Sequence, residues 1–176
     1  TYYNHFANYL EEKKGKLTSS VKYTEYSKAI VAMTAMGKDA RNVAGYNLLE
    51  SLADFENVAA QGVNGPIWAL IALNANPQYT IPETAGVQNQ TTREKLLEYI
   101  LDNETPAGGW DLMGLAPDSD MTGMALQALA PFYKKSGYED VTAAVDRGLE
   151  ALSRIQDSDG GYSTMGSKTV ESCAQV

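Results

Sequence analysis

The chain contains an internal repeat. Residues 108–114 read GGWDLMG and residues 160–166 read GGYSTMG, so the motif starts at Gly108 and again at Gly160, 52 positions later. Both copies keep Gly, Gly, an aromatic residue, Met and Gly. The match extends upstream, where Leu96, Ile100 and Glu104 fall on Gly148, Leu152 and Gln156. It also extends downstream, where SDMTGMA (119–125) falls on VESCAQV (170–176) after a one-residue gap. A unit of this length cannot bury its apolar face alone, so such a chain folds by stacking copies on one another.

Two further segments share the texture of the downstream half. TEYSKAIVAMTAMG (24–37) and NGPIWALIALN (64–74) resemble DMTGMALQALAPF (120–132) in their small apolar residues. Four similar helices are therefore expected to begin near Thr24, Asn64, Asp120 and Glu171, at spacings of 40, 56 and 51 residues. Each interval has to hold a loop, a second helix and another loop.

The helices are of two kinds. Segment 138–156 places Val141, Ala144, Val145, Gly148, Leu149, Leu152 and Ile155 on one face, opposite Asp140, Asp146, Arg147, Glu150 and Arg154. Segment 93–102 repeats this with Leu96, Leu97, Ile100 and Leu101. This is the periodicity of a half-buried helix. By contrast, 29–36, 67–73 and 121–133 are apolar nearly all round, the pattern of a helix enclosed on every side. Alternation of the two kinds predicts an inner layer of helices inside an outer one.

Punctuation agrees. Thr91-x-x-Glu94 and Asn47-x-x-Glu50 read as capping boxes. Gly37 and Gly137 fit helix ends, and Pro66, Pro82 and Pro117 fit first turns or loops. No segment alternates with period two for long enough to predict a strand. The expected class is all-α, an array of about four helical hairpins or fewer. ESCAQV opens an inner helix at the last residues, so the layer is expected to be completed by the remainder of the chain or by another chain.

At 176 residues the chain corresponds to one domain or a piece of one. Fourteen basic against 22 acidic residues give a net charge of −8. That balance argues against nucleic acid, whose binders carry a basic footprint, and against anionic membrane surfaces. No apolar run reaches the ~20 residues of a membrane helix. No signal segment is visible, and Thr1 is not a natural start. The single cysteine, Cys173, excludes an internal disulfide and is expected as a small buried helix residue. His5 is the only histidine and reads as a surface or partly buried residue. Asp157-Ser158-Asp159-Gly160 opens like a calcium loop but lacks the later ligands, so a surface turn is expected there. No metal and no cofactor are expected.

Segment 147–162, RGLEALSRIQDSDGGY, resembles a QW motif of the squalene and oxidosqualene cyclases, with Arg147, Gly148, Leu152, Gln156 and Gly160, and with Tyr162 where the motif has Trp. The earlier copy keeps Gly108, Gly109 and Trp110 and has Glu104 for Gln. These motifs belong to the α/α-toroid superfamily, which also holds protein prenyltransferase β subunits and cobalamin carriers. Through YTEYSKAIVAMTAMGKD, NVAGYNLLESLADF, NGPIWALIALN, DMTGMALQALAPFY and ESCAQV, the chain is most similar to prenyltransferase-like repeat domains of secreted or cell-surface proteins of Gram-positive bacteria. The resemblance implies an α/α toroid, here incomplete, and a secreted or surface location. The zinc site of prenyltransferases needs Asp, Cys and His together, and Cys173 and His5 stand at opposite ends of the sequence.

Asp118-Ser119-Asp120-Met121-Thr122 resembles the DxDD(T/S) motif of class II terpene cyclases. The resemblance makes Asp120 the acid that protonates an alkene or epoxide, Asp118 its partner and Thr122 the retained follower. Met121 stands where the family has its last aspartate. The same residues, following Pro117, also suit a helix start, where carboxylates and hydroxyls cap free N–H groups. Thr24, Asn64 and Glu171 occupy the equivalent positions and point to capping as well. Cyclases line their cavities with aromatic faces, a role open to Tyr23, Tyr26, Trp68 and Tyr162. Packing is the favoured reading, with Trp110 and Tyr162 plugging the same hairpin turn in successive repeats.

The candidate ligand-binding set is Tyr23, Tyr26, Trp68, Thr122 and Glu171. The expected function is a non-catalytic module that binds a small molecule, a glycan or a protein. The alternatives are a class II cyclase acting through Asp120 and a purely structural spacer. Fold analogy does not choose among them.

Overall fold

The computed structural model describes residues 1–18, 21–164 and 167–176. Met165 and Gly166, which end the second copy of the repeat, lie outside the described residues. The described residues are mostly helical, as the patterning predicts. Among them the only strands, β1 (Ser163–Thr164) and β2 (Ser167–Lys168), form a two-residue antiparallel ladder. The chain divides into two compact units, Thr1–Leu96 and Leu97–Val176.

In the first unit, α1 (Tyr2–Glu12) is capped by the Thr1 hydroxyl and buries Leu10. Helix α2 (Thr24–Ala35) packs on α4 (Asn64–Asn74). Helix α4 is the enclosed one: Ile67, Ala69, Leu70, Ala72 and Leu73 are buried and only Trp68 is half-exposed along its middle. Helix α2 departs from the expected enclosure. Val31 and Ala32 are half-buried, and Ala35 and Met36 are exposed. Its Tyr26, Ile30 and Met33 face inward, and the small residues opposite lose little by meeting water. The chain leaves α2 at Gly37, whose φ of +69° closes a turn in which Lys38 N donates to Met33 O at 2.9 Å.

In the interval between α2 and α4 the expected second helix is short. The interval holds a 3-10 turn (Leu48–Leu52) and the short α3 (Phe55–Ala59). Two caps divide the segment: Asn47 accepts from Leu49 N at 3.1 Å, and Asp54 accepts from Glu56 N at 3.0 Å. The chain then passes very close to α4. A Cβ on Gly65 would lie 1.8 Å from the carbonyl oxygen of Val58, so only glycine fits. Helix α5 (Arg93–Asp102) starts one residue later than the Thr91 capping box implies, because Thr92 rather than Thr91 accepts from Lys95 N, at 3.2 Å.

In the second unit, α6 (Ser119–Leu129) packs on α7 (Glu139–Ile155) and on α8 (Val170–Gln175). Helix α7 buries Val141, Ala144, Val145, Gly148, Ala151 and Leu152, while Leu149 at the edge of the stripe is 50% exposed. The 52-residue repeat reappears as a pattern of hydrogen bonds. Thr105 N donates to Gly109 O at 2.8 Å, and Asp157 N donates to Gly161 O at 2.9 Å. Gly108 N returns to Thr105 O at 2.9 Å, and Gly160 N to Asp157 O at 2.8 Å. Each aromatic carbonyl then accepts from the cap of the next helix: Trp110 O from Asp118 N at 2.9 Å, Tyr162 O from Thr169 N at 3.3 Å. The one-residue gap in the sequence match falls between aromatic residue and cap.

Trp110 plugs its turn. It is wholly buried, and its indole Nε1 donates to Ile100 O at 2.7 Å. Burial of an indole contributes several kcal/mol, about 3–5 on truncation to alanine. Gly148 lies against the ring, its would-be Cβ 3.0 Å from Trp110 Cζ3. Tyr162 is likewise buried, at 8% exposure. Cys173, expected inside a helix packing face, is exposed. Ser172 instead takes the inward position on α8, because the Thr169 cap sets the start of the helix.

Candidate functional site

The first unit contains a cavity of about 580 Å³. Its wall brings together Tyr23 and Tyr26 from the start of α2, Tyr46 and Asn47 from the loop before the 3-10 turn, and Asp54 from the α3 cap. The Tyr23 and Tyr26 rings lie 5.7 Å apart between centroids at a tilt of 36°. Tyr26 is anchored from outside the helix, its hydroxyl accepting from Leu17 N at 3.1 Å. Burial, then the neighbouring Tyr26 and Asp54, holds the Tyr23 phenol above its ordinary pKa.

Tyr46 is presented by a tight turn. Val43 and Tyr46 exchange backbone bonds of 2.9 and 3.0 Å, and between them Ala44 and Gly45 both take positive φ, 51° and 84°. Two left-handed residues define a type I′ turn. Glycine accepts that conformation freely, whereas Ala44 carries a cost of roughly 1–2 kcal/mol. Such strain is characteristic of residues that position a binding surface. Gly15, at φ +80°, lies against the Tyr46 ring, where a Cβ would stand 2.6 Å from Cδ1.

The charged groups at the rim are largely engaged. Arg41 grips Asp39 through Nε at 2.9 and 3.1 Å and Nη2 at 2.7 Å, which holds the Asp39 carboxyl below the ordinary range. Both oxygens of Asp54 are occupied, by Glu56 N at 3.0 Å and Asn57 Nδ2 at 2.9 Å. Lys14, Lys16 and Glu50 remain exposed at the edge.

The other sequence-selected residues are placed differently. Trp68 is half-exposed on α4, with the Lys28 ammonium 5.3 Å from its ring centroid. Thr122 is wholly buried, and its hydroxyl accepts from Trp110 N at 3.0 Å and donates to Trp110 O at 3.2 Å. Glu171 is exposed in the first turn of α8. Asp118 is the N-cap of α6 and accepts from Met121 N at 2.9 Å. Asp120 lies in the first turn, and its Oδ1 is buried without a partner among the described residues. The equivalent caps differ from the expectation. Thr169 caps α8, but α2 and α4 begin after Tyr23 and Val63 with no side-chain cap. Thr24 instead donates to Gln61 Oε1 at 2.9 Å.

His5 is exposed on α1, and Asp157–Gly160 is a turn in which Asp159 pairs with Lys168. No group of three or more His, Cys, Asp or Glu among the described residues is placed to hold a metal ion. No helix among them is long and apolar enough to cross a membrane. A second groove, of about 690 Å³, runs between α6, α7 and α8 and is flanked by Leu126, Leu149, Tyr162 and Gln175.

The aromatic lining implied by the resemblance to cyclases singles out Tyr23 and Tyr26 and misses Tyr46, which lies on no periodic element. Its signal is local: a small residue and a glycine immediately before an aromatic one, the composition of a tight turn. Comparison of the chain with family models, with curated proteins and with solved structures returns no match.

Proposed function

We propose that the chain is a non-catalytic binding module, an arc of an α/α toroid, whose ligand sits in the tyrosine-lined cavity of the first unit. The supporting observation is the convergence of Tyr23, Tyr26 and Tyr46 on one cavity, with Tyr46 held there by a strained turn. A volume near 580 Å³ falls in the range of small-molecule sites. The toroid assignment and a location outside the bacterial cell or on its surface rest on the QW-like motif and the repeat texture. The test is an amide NMR titration of the whole chain with a library of saccharides, amines, carboxylates and short peptides. Saturable shifts at Gly15, Gly45 and Tyr46 are expected. Absence of any saturable ligand at these residues would leave a structural spacer instead.

One observation favours a second reading, a class II cyclase. The buried, unpartnered Oδ1 of Asp120 is the kind of group that a proton-donating role would explain. Against it, Asp118 is engaged as a cap and Met121 replaces the last aspartate of the motif. Turnover of squalene or geranylgeranyl diphosphate, lost in Asp120→Asn with an unchanged melting curve, would carry this reading. No product from the parent chain removes it.

A further inference from the structure

The chemistry of the cavity narrows its ligand, given that the cavity is the binding site. We infer that it takes a neutral carbohydrate, a short oligosaccharide segment lying against Tyr23 and Tyr46. Charge decides first. A cation would enjoy the tyrosine faces, but Lys14, Lys16 and Arg41 stand at the rim against only Glu50 and Asp54. Asp54 already accepts from Glu56 N and Asn57 Nδ2 but keeps its charge, so the three cations still outnumber the two carboxylates. An anion would find only the solvated ammonium groups of Lys14 and Lys16, because the Arg41 fork already holds Asp39 through three bonds. It would also meet the negative faces of the aromatic rings.

Apart from these rim charges, the open groups are neutral. Among the described residues the phenol oxygens of Tyr23 and Tyr46 have no protein partner, and the Asn47 amide nitrogen is also unengaged. Hydroxyls and an amide that both donate and accept match the alternating donors and acceptors of a sugar ring. The flat, rigid tyrosine faces cover its C–H face at small entropic cost. An apolar ligand would leave these polar groups unpaired, which costs ~1–3 kcal/mol each where they are buried. The volume of about 580 Å³ exceeds that of one sugar ring, hence a segment rather than a monosaccharide.

The test titrates the full chain, followed by amide NMR and calorimetry, with chitotetraose, cellotetraose and mannotetraose, and separately with choline and succinate. At least one tetrasaccharide is expected to saturate and to shift Gly15, Gly45 and Tyr46. Tyr46→Ala should weaken it at least ten-fold, and Tyr23→Phe and Tyr46→Phe several-fold, with melting curves confirming that each variant is folded. Saturation by choline or succinate alone would overturn the carbohydrate assignment while leaving the cavity a binding site. Shifts from none of the five probes, or equal saccharide affinity in Tyr46→Ala, would overturn it as well. Only the wider library can separate that result from failure of the binding-site reading itself.

Discussion

Arg147 on α7 grips Glu104, two residues past the end of α5, through two parallel bonds: Nε to Oε1 at 2.7 Å and Nη2 to Oε2 at 2.6 Å. Both residues belong to the repeat. Arg147 opens the second QW-like motif, and Glu104 stands in the first copy where the second has Gln156. The departure from the motif is therefore a cross-repeat tie. Gln156 makes a local bond instead, to Gly160 O at 2.9 Å. The bidentate carboxylate raises the Arg147 pKa further above its ordinary value.

Glu104→Gln, which restores the motif amide, should lower the stability of the second unit by about 1 kcal/mol. The Arg147 side chain is 52% exposed, so screening keeps the pair near the surface range despite the 11% exposure of Glu104. Urea unfolding of parent and variant measures the difference, which should shrink as salt is added. An unchanged midpoint at low salt would show that the tie contributes nothing.

Thr122→Val separates a packing role from a ligand role. The hydroxyl bonds both the N–H and the carbonyl of Trp110 in a wholly buried site, so its loss should cost about 1–3 kcal/mol. Ligand affinity at the first-unit cavity should be unaltered. A variant of normal stability with impaired binding would return Thr122 to the ligand-binding set.

The repeat and the patterning made the starts of four helices legible, to within one residue: Thr24, Asn64, Ser119 and Val170 begin them. The Asn47 capping box opens a 3-10 turn rather than an α-helix. Asn47 and Asp54 cap two short turns only a few residues apart, because two strong caps in succession restart the chain rather than extend it. Enclosure failed for α2, whose apolar texture comes from alanines that tolerate water. At the candidate site, Tyr23 and Tyr26 at the start of α2 were singled out. Tyr46 was not, since its position depends on a turn conformation and on the absence of a Cβ at Gly15.

Asp159 and Lys168 tie the 157–161 turn to β2. The Lys168 hydrogen bond, then the Gly161 N–H, holds the Asp159 carboxyl below its ordinary range. A lowered folded pKa means that the contribution is fully present above the unfolded value of about 4 and is lost as pH falls through the folded one. The turn should therefore loosen only below about pH 4, seen as broadening of the Gly160 and Gly161 amides. In Lys168→Ala the Asp159 carboxyl should titrate higher, read directly by carboxyl carbon NMR. An unmoved titration curve would mean that the ammonium does not engage Asp159.

Gly15 and Gly37 form a matched pair for testing how Tyr46 is held. Both have positive φ, +80° and +69°, but a Cβ meets Tyr46 Cδ1 at 2.6 Å at Gly15 and nothing within 4 Å at Gly37. Alanine at either position carries the left-handed backbone cost of about 1 kcal/mol. Only Gly15→Ala must also swing the Tyr46 ring, whose Cε1 lies 2.9 Å from the same point. Thermal unfolding should show comparable or slightly larger destabilisation for Gly15→Ala. The Tyr46 ring resonances should move in that variant alone, and ligand affinity at the cavity should fall with them. If Gly37→Ala weakens binding as much as Gly15→Ala, the effect is general loss of stability, and the Gly15–Tyr46 contact does not shape the site.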